Sequence, residues 1–134
     1  MNKPIATFIL AIIFLISCGE DSKKKRGLDD TLFKYAASIR WSNYDGAIRF
    51  LKPGVKEIVP SSFELEHLKQ FKVSSYSESP ITPGPNINSI SQTVTIQLYN
   101  IHNNQVRTII DNQTWEYNEE WQQWLLTSGI PKIK

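Results

Sequence analysis

The sequence predicts an α+β fold, N-terminal helices packed on one side of a curved antiparallel β-sheet. Two observations predict it. Apolar residues recur at helical spacing as far as Leu51, then at alternate positions from Ile90 onward, so the hydrophobic period changes within the chain. Two separate hairpins also place their apolar residues on one surface, and such agreement between independent registers specifies a single buried sheet face. Helices followed by a run of strands segregate to opposite layers of one core.

The elements follow in order. Asp29 and Asp30 suit the start of a first helix, as caps and as charges complementing the helix dipole. Leu32, Tyr35, Ala36 and Ile39 form its apolar stripe, and Trp41 is expected to lie over the core as a lid. A second helix begins near Asn43, carries Ala47, Ile48, Phe50 and Leu51, and ends at Pro53-Gly54. Ser61 with Glu64 is a capping box for a short third helix to Lys69, although Phe63, Leu65 and His67 also alternate as a strand would. Phe71 and Val73 open a strand that fades into a loop from Ser77 to Asn88, which holds Pro80, Pro83, Gly84 and Pro85. Ile90 to Ile101 reads as a strand with Ile90, Val94, Ile96 and Leu98 on one face. A two-residue turn at Asn103-Asn104 would set His102 opposite Gln105 and Leu98 opposite Ile109. A second turn, Asn118 to Gln122, would pair Tyr117 with Trp124 and Trp115 with Leu126 on the same face.

The N-terminus has a different character. Lys3 precedes an apolar run from Ile5 to Ile16 broken only by Thr7, and the chain turns polar at Gly19-Glu20-Asp21-Ser22. A helix through that run spans about 18 Å, short of the ~30 Å hydrocarbon core, so it reads as a secretory signal and not a membrane span. Leu15-Ile16-Ser17-Cys18 resembles the bacterial lipobox, which implies cleavage before Cys18 and acylation of its thiol and amine. The expected organisation is a signal peptide over 1–17, a lipidated cysteine with a polar, basic tether over 18–27, and one domain over 28–134. Aspartate after the lipidated cysteine retains such proteins at the inner membrane. Gly19 stands there instead, so the outer membrane, periplasmic face, is expected.

The formal charge of +2 overstates the basicity of the domain. Lys3, Lys23, Lys24, Lys25 and Arg26 all precede it and leave a remainder near −1, which gives no electrostatic footprint for nucleic acid. The run Lys23 to Arg26 suits either an anionic membrane surface or a plain solvated linker. Cys18 is the one cysteine, so an intramolecular disulfide is excluded.

The stretch Ile39-Arg40-Trp41-Ser42-Asn43-Tyr44-Asp45-Gly46-Ala47 through Phe50-Leu51-Lys52-Pro53 resembles small NTF2-like lipoproteins of gammaproteobacteria. So do Arg107 to Trp115 and the ending Trp124 to Pro131. The resemblance covers nearly all of the domain and implies a cystatin-like cone, a bent sheet wrapped on a helix around an open cavity. That superfamily holds isomerases, dehydratases and pure binding modules, so the fold leaves activity open.

Asp111 and Gln113 are the polar interruptions of the apolar face, set by the expected register opposite Ile96 and Val94. A carboxylate in a partly apolar pocket gains a raised pKa and can carry a proton or anchor a ligand, with Tyr35, Tyr44 or Tyr99 as helpers. Two alternatives stand beside this: a β-bulge near Asp111-Asn112 that turns both outward, or an ion pair of Asp111 with Arg40 or Arg107. Ligand-binding candidates are therefore Asp111, Gln113, Tyr44 and Trp121, the last a tryptophan in a polar turn suited to a partner or glycan. His67 and His102 stand at no metal-ligand spacing, so neither a metal nor a cofactor is expected. The leading expectation is a non-enzymatic envelope lipoprotein whose domain binds a protein or a small apolar ligand. The alternatives are an enzyme with Asp111 as acid or base, and a structural or assembly subunit. A homodimer through the sheet, with Tyr99 and Ile101 on its outer face, is a further expectation.

Overall fold

Leu28, Leu32, Tyr35, Ala36 and Ile39 lie on one face of a helix, and all five are buried. The computed structural model describes the backbone of residues 3–134 and the side chains from Gly19 onward except Glu20. The lipobox expectation at Cys18 falls outside the described side chains. Helix α1 runs over Lys3–Arg40. It is continuous through Asp29 and Asp30, which are exposed mid-helix residues and not the start of a helix; Asp30 pairs with Lys34 one turn on, at 2.8 Å. The stretch expected as a tether is helical as well. Trp124 Nε1 donates to Lys24 O at 3.1 Å, and the Lys24 ammonium lies 4.7 Å from the Tyr117 ring centroid, so the packed unit reaches back at least to Lys24. Among the described residues, no helix is long and apolar enough to cross a membrane.

Ser42, at φ 55°, ends α1, and Asn43 caps the short helix α2, Tyr44–Ile48, by accepting from Gly46 N at 3.0 Å. A single 3₁₀ turn covers Lys56–Ile58. Helix α3, Ser62–Leu68, carries the expected capping box, with both reciprocal bonds of Ser61 and Glu64 formed. Trp41 is not a lid. It is 83% exposed, because two residues beyond Ile39 its side chain stands about 200° around the helix from the apolar stripe.

The sheet is a curved antiparallel half-barrel of β1 (Phe71–Glu78), β2 (Thr82–Pro83), β3 (Ser89–Asn100), β4 (Val106–Asn118) and β5 (Gln123–Leu126). The order is β1-β3-β4-β5, with β2 beside β3 in continuation of β1. Part of the expected Ser77–Asn88 loop is thus strand. The second hairpin has the expected register, Trp115 on Leu126 and Tyr117 on Trp124. The first differs by two residues: Leu98 faces Arg107, Ile96 faces Ile109, Val94 faces Asp111 and Gln92 faces Gln113. Its loop is longer than two residues, closed by Asn100 N donating to Gln105 O at 3.0 Å, with Asn104 alone in the left-handed region at φ 57°. A shift of two leaves every side chain on its original face.

The bulge that helps bend the sheet lies in β1, where Ser74 is the extra residue between Val73 and Ser75, and not at Asp111. Inside the half-barrel, Tyr35 meets Trp115 and Phe50 edge to face at 5.1 and 5.6 Å, joining α1 to the sheet.

Candidate functional site

Strand alternation brings Asp111, Gln113 and Trp115 to the inner face of β4, where sequence reasoning places them. Trp115 Nε1 can only donate, and it donates to Gln113 Oε1 at 3.1 Å. This fixes the amide, whose nitrogen then donates to Asp111 Oδ2 at 2.9 Å and to the Tyr76 hydroxyl at 3.0 Å. Gln113 and Trp115 are fully buried, Tyr76 nearly so, and Asp111 keeps partial access to water. Tyr35 is wholly buried from the helix side, and its hydroxyl has no hydrogen-bond partner.

The electrostatics follow from burial. Desolvation raises the Asp111 carboxyl from 3.8 to about 6, opposed by the Gln113 hydrogen bond. Burial also pushes the Tyr76 and Tyr35 phenols up, and the Asp111 charge adds to both. Neither expected cation pairs with Asp111. Arg40 lies 3.9 Å from Glu78 and donates to Tyr76 O, while Arg107 donates to Lys134 O. The ion-pair expectation is corrected: both guanidinium groups are held elsewhere.

The other candidates do not join this cluster. Tyr44 is buried, and its hydroxyl donates to Phe71 O at 3.0 Å, five residues along β1 from Tyr76. Trp121 stands half-exposed in the β4–β5 turn, whose shape is set by Trp121 N donating to Asn118 Oδ1. Among the described residues, no group of His, Cys, Asp and Glu could hold a metal ion.

A second feature is a cavity of about 300 Å³ between the 3₁₀ turn, α3 and the C-terminal segment. Ile58, Val59, Phe63, Leu68, Ile130 and Ile133 supply apolar walls, with Glu57, Glu64 and Lys132 also in its lining. Phe63 is 83% exposed and Val59 53%, so apolar surface continues outward from the cavity. Neither Asp111 nor Gln113 lines it. Sequence reasoning missed this site because Ile130 and Ile133 follow the last strand without any period. It missed Tyr76 because the Ser74 bulge breaks the alternation begun by Phe71 and Val73. Compared with family models, curated proteins and solved structures, the chain matches none.

Proposed function

We propose that this chain is a lipid-anchored protein of the bacterial envelope, facing the periplasm from the outer membrane, with a non-enzymatic NTF2-like binding domain. The lipobox-like Leu15 to Cys18 supports the anchor, and helices packed in a curved antiparallel half-barrel suit the NTF2-like reading. The observation that carries binding is the cavity between α3 and the C-terminal segment, apolar within and bordered by the exposed Phe63 ring. Its size is at the lower end of small-molecule sites, and its lining suits an apolar group held by burial with few polar contacts.

Anilinonaphthalene sulfonate titrated into the purified protein tests this. Phe63→Glu should weaken its binding by about tenfold or more, since a buried phenylalanine contact is worth 1.5–3 kcal/mol. Asp111→Asn should leave it unchanged. Equal binding by Phe63→Glu would dismiss the cavity. Cys18→Ala should abolish acyl labelling in cells, and membrane-bound, lipid-free mature protein would dismiss the anchor. A second reading, acid–base chemistry at Asp111, is favoured by its raised pKa and by the unpartnered Tyr35 hydroxyl near it.

A further inference from the structure

β4 is open along part of one edge. β5 pairs with it only from Trp115 to Asn118. Thr127 N then donates to Thr114 O, and Thr114 N donates to Ser128 Oγ. Gly129, at φ 85°, next turns the chain away to pack against Ile58. The chain meets β4 again where Arg107 donates to Lys134 O. That contact is made by the Arg107 side chain alone, so from Thr114 back toward the β3–β4 loop the backbone edge from Asn112 to Val106 stays free of it.

The free groups along this stretch can be named. The N–H and C=O of Thr114 point away from β3, so those of Asn112, Ile110, Thr108 and Val106, at even offsets, point the same way. None of them has a backbone partner beyond β3 among the described residues. All four residues are exposed, Ile110 by 60% and Val106 by 61%. Parts of the outer margins are held in other ways: Leu51 bridges onto Leu126 at β5, and Val73 N donates to Ser42 Oγ at β1. An open edge with apolar side chains is a template for another strand.

The sequence of the stretch identifies which strand fits. Ile109 is its midpoint, so antiparallel pairing of the whole stretch with itself centres on Ile109. Arg107 of each copy then faces Asp111 of the other, and Thr108 exchanges backbone bonds with Ile110. Centring on Ile110 would instead set Val106 against Thr114, whose backbone Thr127 and Ser128 already hold. Only the first register fills the edge without overlap, and it also joins opposite charges. We propose that the chain dimerises by two-fold antiparallel pairing of β4 with β4 of a second copy, centred on Ile109 and clamped by two Arg107–Asp111 ion pairs, each guanidinium turning from Lys134 O to the other copy's carboxylate. The interface is isologous and closed, so it ends at two chains.

Disulfide trapping of the full-length chain in detergent tests the register, with Cys18→Ser so that an introduced cysteine is the single thiol. Ile109 falls at a non-hydrogen-bonded pair with Cα atoms about 4.5 Å apart, within disulfide reach. Ile109→Cys should give a covalent dimer on mild oxidation, and Ile110→Cys should not. In sedimentation equilibrium, Arg107→Glu should weaken dimerisation by about tenfold or more, and Arg107→Asp combined with Asp111→Arg should restore it. A parent chain that stays monomeric at every concentration overturns the proposal. So does trapping through Ile110→Cys alone, or an Arg107→Glu dimer as tight as the parent. Dimers formed only after Asp111→Asn would show that Asp111 guards the edge, and would overturn it equally.

Discussion

Gln113 commits both amide hydrogens, to Asp111 and Tyr76, and its oxygen to Trp115. One fully satisfied amide therefore carries three polar side chains into an apolar core. Asp111 gains a hydrogen bond there but no ion-pair partner among the described residues, so desolvation prevails and its carboxyl rises to about 6. Between 3.8 and that value the folded chain holds the proton more tightly than the unfolded chain does. This contribution to stability is full below the unfolded pKa and is lost as pH rises through about 6. Asp111→Asn should therefore raise stability at pH 7 by about 3 kcal/mol and by well under ~1 kcal/mol at pH 4. Thermal melts of the dilute monomer at both pH values check this. A lower melting temperature for the variant at pH 7 would mean that the ionised carboxylate stabilises the fold.

At the scale of elements, the walls of the apolar cavity depend on two local devices. The capping box starts α3, and Ser61→Ala should cost about 1 kcal/mol, read as a lower denaturant midpoint with an unchanged slope. Gly129 turns the C-terminal segment at φ 85°, where an alanine Cβ would be 3.5 Å from Ile58, tolerable in space but strained in backbone. Gly129→Ala should lower stability by about 1–2 kcal/mol and weaken probe binding in the cavity, measured by the same melts and titration. The capping box was legible in the sequence because its two residues stand three apart. The face of each central strand was legible too, since alternation survives a two-residue change of register. Hairpin length was not, because neighbouring asparagines tolerate a left-handed backbone at either position, and only Asn104 adopts it. The reach of α1 was hidden for another reason: Ser22 to Arg26 lacks an apolar stripe, and Lys24 is placed by Tyr117 and Trp124, about a hundred residues away.

Across the whole molecule, Trp115 is where the layers meet. It touches Tyr35 of α1 and the Phe50 ring, pairs with Leu126 of β5, and donates to Gln113. Trp115→Ala should cost about 3–5 kcal/mol, a large share of the 5–15 kcal/mol that holds a small domain, and near-ultraviolet dichroism should show tertiary packing largely lost. The last consequence comes from the backbone of α1. A flexible segment of ten residues would let the domain roam on a leash of roughly 17 Å root-mean-square length. A helix advances only ~9 Å over the six residues between Cys18 and Lys24, and at Lys24 it is already fastened to Trp124. With the anchor proposed at Cys18, a short helical stalk and not a loose coil joins the domain to the lipid. A pull on the domain is then transmitted along the helix to the acyl chains, where a coil would first extend.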